Sequence, residues 1–542
     1  MADPHRQVDP LLGGAEEPAR VQLRARLGAA LGPVAAVAVF AFAPVGEDGL
    51  SEGGRATAAV AALVAVWWVS EALPLPVTSL VPIVALPLTG ALPLSDTTQA
   101  YGNPLVFLFL GGFVLALAMQ RWGLHQRVAL LTIRLVGTRP RRLVGGFMLA
   151  AAGLSMWVSN TATVVMMLPI GVSVLGLVAV KLGPGADADA GADAAPDANA
   201  PGERPSTQEV ADAAPASAAE IAASPAPNLG TGLMLGIAYA ASIGSLATLI
   251  GTPPNTFLAG FLEQTYGIDL GFARWMLLAL PLAVVFLVLA WLLLTRLLYP
   301  PEIEDIPGGR ALIQAELAAL GPLSRGERNV LVVFGLMAGG WILRSPLQTV
   351  LADTPLAAID DPIIAVAGAI VLVALPVDAR RGVFTMDWAT TRQLPWGVLL
   401  LFGGGLALAA AVTANEVDVF VGARLARLSE VPLPVLLLLV VATIIALTEL
   451  TSNTATTAAL VPVVAGTAVV LGLDPMMLAI PAALAATCAF ALPVATPPNA
   501  IVFGSGYVTI AQMVRAGLVL NVLGTVLIVV VAVWWMPVVF AL

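Results

Sequence analysis

Cysteine occurs once in this chain, at Cys488, histidine twice, at His5 and His125, and lysine once, at Lys181. One cysteine excludes a disulfide framework or a cysteine-based metal cluster, and two histidines leave little for a zinc or haem site. Charge is also scarce. Asp, Glu, Lys and Arg make up 11% of the 542 residues, against 59% apolar. With a mean hydropathy of +0.93, this composition predicts an all-α polytopic membrane protein rather than a soluble enzyme. No His/Asp/Glu or Cys constellation lies near the polar features described below, so neither catalysis nor nucleic-acid binding is expected. The first 26 residues are polar, carrying acids and arginines with no apolar core before a cleavage site. That is the pattern of a cytoplasmic tail (1–27), not of a cleaved signal.

What is present is a series of apolar runs. Spans are expected at about 28–46, 57–72, 75–91 and 104–120, followed by an amphipathic, arginine-bearing stretch at 121–138. Two apolar arms, 140–158 and 162–180, meet at Ser159-Asn160-Thr161. The joint is uncharged and has no loop length, so it does not suit water. A re-entrant hairpin (140–180) with its tip at mid-membrane is favoured over one long span or two, its backbone facing protein or a wet cavity. Residues 182–228, rich in Ala, Asp, Pro, Gly and Ser, read as a disordered acidic linker. Further spans follow at 229–265, broken at Gly251 to Pro254, and at 275–299. A connection at 301–326 contains a modest amphipathic helix near 309–320. Then come spans at 328–343, 362–377 and 395–414, and a second amphipathic stretch running to about Ser429. A second hairpin (432–471) has its tip near Ser452. The last spans are 475–507, broken at Ala495 to Pro498, and 516–540.

The chain repeats itself. An offset of 293 carries Ser159-Asn160-Thr161 onto Ser452-Asn453-Thr454, and Phe109-Leu110-Gly111-Gly112 onto Phe402-Gly403-Gly404-Gly405. Thr252-Pro253-Pro254-Asn255 maps onto Thr496-Pro497-Pro498-Asn499 at an offset of 244, shorter by about the length of the linker. The reading is therefore a first helix and loop (28–54), one repeat at 55–300, a cytoplasmic connection at 301–326 and a second repeat at 327–542. Five crossings plus a non-crossing hairpin in each invert the second repeat relative to the first, as in many secondary transporters. With the N-terminus inside, twenty basic residues fall on the inner side and five on the outer, so the charge bias agrees and the C-terminus lies outside.

A helix broken at mid-membrane exposes N–H groups that suit an anion and C=O groups that, with Ser, Thr and Asn oxygens, suit a hard cation. The prolines of each second break remove donors and disfavour helix in the residue before them. Two oxygen-rich sites with anion-facing helix ends between them describe a cation-coupled anion transporter. No basic residue is close in sequence to any of the four breaks. Dipoles, hydroxyls, amides and bound cations are thus left to hold the anion, and cation binding becomes a precondition for anion binding. The glycine clusters read as close helix packing, His125 as a surface residue, Glu71 as a helix-end cap or ion pair, and the Trp67-Trp68 and Trp534-Trp535 pairs as interfacial anchors. Glu449, near the second tip, either braces it or sits beside the ion site.

These motifs resemble the divalent anion/sodium symporter family, whose members carry di- and tricarboxylates or sulfate. The likeness runs through Met156-Trp157-Val158-Ser159-Asn160-Thr161-Ala162-Thr163, Ala240 to Gly244, Gly251 to Asn255, Glu449 to Ala455, and Leu492 to Ala500. Trp68 to Pro74 and Phe107 to Gly112 also look familial. The resemblance implies a homodimer in the lipid bilayer of the cell membrane, with a scaffold and a hairpin-bearing transport part that moves as an elevator. It implies at least two sodium ions, one around Ser155, Ser159, Asn160 and Gly251, the other around Thr448, Thr451, Ser452, Asn453 and Ala495. A divalent anion such as succinate would lie between Asn160-Thr161 and Asn453-Thr454, with Thr252, Thr496 and Pro497 nearby. Ser245 stands where the family commonly has a second glycine.

Overall fold

In the computed structural model, residues 17–46, 49–182, 226–306, 308–424 and 431–542 are described. His5 and nearly all of the expected linker at 182–228 lie outside them. Apart from one two-stranded ribbon, Pro376–Asp378 against Val383–Phe384, the described chain is helical. Nine of its helices are long and apolar enough to cross a membrane.

The first part comprises α1 (Glu17–Phe42), α2 (Glu52–Ser70), α3 (Leu75–Thr78), α4 (Val81–Leu88), α5 (Leu94–Gln99), α6 (Pro104–Arg121) and α7 (Leu124–Val136). Helix α1 begins inside the expected tail. The span expected at 75–91 is two short helices instead, interrupted at Ser79-Leu80. Pro82 lacks the N–H that a continuous helix would donate to the Thr78 carbonyl. The break is held by tertiary partners: the Tyr101 hydroxyl donates to the Ser79 carbonyl, and Trp68 Nε1 donates to Ser79 Oγ at 3.3 Å. Trp68 is therefore fully buried rather than interfacial. His125 is also buried, with Nδ1 2.9 Å from the Met119 carbonyl, and is not a surface residue. Glu71 caps α2 in a left-handed conformation and pairs with Arg24 at 3.1 Å.

Then follow α8 (Pro140–Ser155), α9 (Asn160–Leu182), α10 (Pro227–Ser245), α11 (Pro253–Tyr266) and α12 (Phe272–Leu292), the last prolonged by a π-turn to Leu298. Helix α13 (Gly309–Ala319) leads to α14 (Arg325–Val350), which opens with a Ser324/Glu327 capping box. After α15 (Asp361–Ala374) and the ribbon come α16 (Trp396–Ala414), α17 (Val417–Arg424), α18 (Leu433–Thr448) and α19 (Asn453–Val470). The chain ends with α20 (Met476–Thr487), α21 (Pro497–Gly504), α22 (Ile510–Val530) and α23 (Met536–Phe540). Proline occupies the first turn of α6, α8, α10, α11 and α21, where its fixed φ fits and its missing N–H is no loss.

Helices α10 and α20 form the centre. Every residue of Leu229–Ser245 and of Met476–Thr487 is buried. Small side chains permit this: Ala and Gly recur through both, letting neighbours approach closely. Helix α10 is wrapped by α8, α9 and α21, and α20 by α18, α19 and α11. The glycine clusters pack as expected. A Cβ at Gly111 would meet the Ala365 backbone, and one at Gly404 the Ser79 carbonyl.

Candidate cation and anion site

Helices α8 and α9 are separated only by residues 156–159, and α18 and α19 only by 449–452. At the first joint the buried Ser155 hydroxyl donates to Asn160 Oδ1 at 2.7 Å. At the second, Thr448 and Asn453 make the same contact at 2.8 Å. Each pair spans five residues and the two are related by the 293 offset. Asn160 Nδ2 donates onward to Ser245 Oγ at 3.3 Å, at the end of α10. Thr448 Oγ1 lies 2.8 Å from the Ala486 carbonyl, near the end of α20. Each tip thus touches the broken end of one central helix.

The second breaks are built alike. Asn255 Nδ2 approaches the carbonyls of Ser245 at 3.2 Å, Leu246 at 3.3 Å and Thr248 at 2.8 Å. Asn499 Nδ2 donates to those of Ala489 at 3.2 Å and Leu492 at 3.0 Å. The 244 offset maps Ser245 onto Ala489 and Thr248 onto Leu492, so both amides clip equivalent carbonyls. This clip moves the boundaries: α10 stops at Ser245 and α20 at Thr487, earlier than the expected breaks at Gly251 and Ala495. At Gly251 a Cβ would overlap the Ser245 carbonyl oxygen, so only glycine allows that approach.

Around these clips, Ser159 and Thr161 are exposed, Asn160, Ser452, Asn453 and Thr454 half-buried, and Pro497 exposed. Thr252, Ala495 and Thr496 are buried, and Thr496 Oγ1 accepts from the Asn499 N–H at 3.3 Å. Ser159 Oγ accepts from the Ala162 N–H at 3.3 Å and so caps α9. Thr451 stands apart from the Thr448–Asn453 pair, its hydroxyl on the Leu447 carbonyl and against Thr456 Oγ1 at 2.6 Å. Hydroxyl and amide oxygens with helix carbonyls form a neutral set that a hard monovalent cation can use. The starts of α9 and α19 keep N–H groups for an anion, whereas paired prolines remove two donors each from the starts of α11 and α21.

Two charged groups complete the second tip. The Glu449 carboxylate, 7% exposed, accepts the N–H groups of Phe490 at 2.8 Å, Ala491 at 2.8 Å and Leu492 at 3.0 Å, and Asn521 Nδ2 at 2.7 Å. It braces the break after α20. Asn521 belongs to no motif in the sequence; its signal there is an amide inside the apolar run 516–530 of α22. Arg24 of α1 donates to the Leu450 carbonyl at 3.1 Å. A basic residue therefore does reach one of the breaks, by a contact 426 positions apart in the chain that sequence proximity cannot reveal.

A family model described as the sodium:sulfate symporter transmembrane region matches residues 25–542. The chain belongs to this family. It is similar, at 36% identity over 513 residues, to the sodium-dependent dicarboxylate transporter SdcS of Staphylococcus saprophyticus, covering 94% of this chain and 91% of that one. Identity to SdcS of Staphylococcus aureus USA300 is 37% over 485 residues, covering 89% and 86%. Among solved structures, the YdaH transporter of Alcanivorax borkumensis matches with a TM-score of 0.53 at 14% identity, covering 87% of this chain and 97% of that one. Neisseria gonorrhoeae MtrF matches with 0.51 at 12%, covering 81% and 83%. These two bear on the fold alone, an all-α polytopic membrane protein. Membership of a divalent anion/sodium symporter family makes the chain a transporter and not an enzyme.

Proposed function

We propose that the chain is a sodium-coupled symporter of C4-dicarboxylates, with succinate as the representative substrate. The observation that carries the reading is the duplicated site: two hydroxyl–amide pairs at the same spacing, each beside a break clipped by a buried asparagine. The SdcS relatives, named as sodium-dependent dicarboxylate transporters, support both the cation and the anion.

In this reading one sodium ion binds among Ser155, Ser159, Asn160 and Gly251, and a second among Thr448, Thr451, Ser452, Asn453 and Ala495. The substrate carboxylates sit between Asn160-Thr161 and Asn453-Thr454, near Thr252, Thr496 and Pro497. With sodium bound, the tips carry the positive charge that the anion needs, so the empty site rejects substrate. The two repeats are inverted, with the N-terminus cytoplasmic and the C-terminus outside. Hairpins and central helices move together as an elevator against a dimeric scaffold.

The test is uptake of labelled succinate into proteoliposomes with and without an inward sodium gradient. Uptake should require sodium, and Asn160→Ala combined with Asn453→Ala should abolish it. Sodium-independent uptake, or an active double variant, would overturn the mechanism. Counter-flow with sulfate and citrate ranks the anions; preference for sulfate would keep the site and change the substrate.

A further inference from the structure

Away from the tips, one junction gathers more carboxylates than it neutralises, with Asp361 buried, Arg344 and Asp360 half-buried, and Glu263 and Asp269 exposed at the rim. The connection between α11 and α12 carries Asp269, and α11 itself Glu263. Facing them are Arg344 on α14, Asp360, and Asp361 at the first position of α15. The Arg344 guanidinium, 13% exposed, reaches Asp269 at 2.7 Å, Asp361 at 3.5 Å, and Asp360. These residues line a cavity of about 20 Å³, room for a single water. Four carboxylates against one guanidinium leave a net charge of −3 when all are ionised.

Asp361 is the buried member, and for its charge it has only a share of the guanidinium, 3.5 Å away. It is 3% exposed; Oδ2 accepts the Phe272 N–H at 3.0 Å, while Oδ1 is buried with no hydrogen-bond partner. An ionised oxygen in that position is strongly disfavoured, and the group responds by binding a counter-charge or a proton. The counter-charge is Arg344, which is shared with Asp269 and Asp360 and reaches Asp361 on the Oδ2 side, so a proton is what can satisfy Oδ1.

We propose that Asp361 is a proton-binding site through which the water on that face of the membrane controls the junction. The inference rests on the elevator reading, with α11 and α12 assigned to the moving part and α14 and α15 to the scaffold. Each side presents two carboxylates and shares one guanidinium. Protonating Asp361 removes one of the opposed charges, so the junction tightens. Burial, with help from Asp360 and Asp269 and against Arg344, pushes the carboxyl up to about 6. Once the junction opens and water reaches the group, it returns to about 4. The closed junction therefore binds the extra proton. It is favoured below about 6 and loses that advantage as pH rises through it. Junction closure also reaches the first tip: Trp341 Nε1 donates to the Asp361 carbonyl at 3.0 Å, and its ring stacks on Phe272 and on Trp157, next to Ser159.

The experiment uses the full chain in proteoliposomes, varying pH on one face at a time. Asp361→Asn mimics the protonated group and should transport slowly. The ratio of unsubstituted to Asp361→Asn uptake cancels the titration of succinate itself. It should fall from several-fold at about pH 7 to about one at about pH 5 on the sensitive face only. In parallel, infrared difference spectra without substrate should show a protonated-carboxyl stretch appearing over that range and missing in Asp361→Asn. Asp269→Asn, at the exposed rim, should move its midpoint to lower pH. A pH-independent ratio, a band retained in Asp361→Asn, or an unmoved midpoint overturns the proposal. If no sodium-driven uptake occurs at any pH, the transport reading fails, and the infrared titration alone decides on Asp361.

Discussion

The two hairpin tips share a sequence motif and are braced by opposite means. The 293 offset sets Met156-Trp157 of the first against Glu449-Leu450 of the second. Trp157 lies in an aromatic nest, edge-on to Phe334 at 4.9 Å and stacked on Phe272 and Trp341 at 6.0 and 6.3 Å. Leu450 is exposed, and charge does the bracing there: Glu449 gathers four N–H groups and Arg24 holds the Leu450 carbonyl. The Ser-Asn-Thr part, proposed above to face the ligands, is kept, while its neighbours differ with what each tip packs against. The first tip thus has a neutral support, and the second has a carboxylate close behind its Ser-Asn-Thr residues.

The comparison breaks most severely at Glu449. Glu449→Gln replaces one accepting oxygen by a donor that confronts the backbone N–H groups, and should cost about 3 kcal/mol. It should lower the midpoint of thermal unfolding and weaken sodium activation of uptake; an unchanged midpoint would mean that the four contacts do not support the tip. Next comes the glycine asymmetry, Gly251 in the first repeat against Ala495 in the second. Gly251→Ala should cost about 1–3 kcal/mol through overlap with the Ser245 carbonyl and raise the sodium concentration needed for half-maximal uptake. Ala495→Gly should cost only about 0.5–1 kcal/mol. Equal sodium responses in the two variants would erase the distinction between the repeats. The smallest effect is expected at Arg24, whose contacts to Leu450 and Glu71 are exposed. Arg24→Ala should change stability by less than about 1 kcal/mol, within reach of chemical denaturation in detergent.

The candidate site was legible because its residues violate their surroundings. Uncharged polar residues and paired prolines stand out in apolar runs, and their recurrence at fixed offsets sets them apart from ordinary interhelical hydrogen bonding. The ends of the breaks were less legible. Pro253 and Pro497 mark where a helix starts, but where the preceding helix stops depends on carbonyls clipped by Asn255 and Asn499 from up to ten positions away. The interruption at Ser79 also needs partners that composition does not reveal, among them the Tyr101 hydroxyl and the close approach of Gly404. The burial of Trp68 and His125 escapes the sequence for the same reason, since burial of an amphipathic side chain is decided by whichever helix lies beside it.

By itself, then, the sequence determined the membrane class, the succession of apolar helices and the position of the polar breaks. These follow from local chemistry: apolar length, missing proline donors, and the cost of unsatisfied backbone in lipid. Only the tertiary structure decided which groups meet at each break. The Glu449 cradle, the Trp157 nest, the Arg24 contact and the Asp361 junction join residues far apart in the chain, and no local periodicity encodes which surfaces come together.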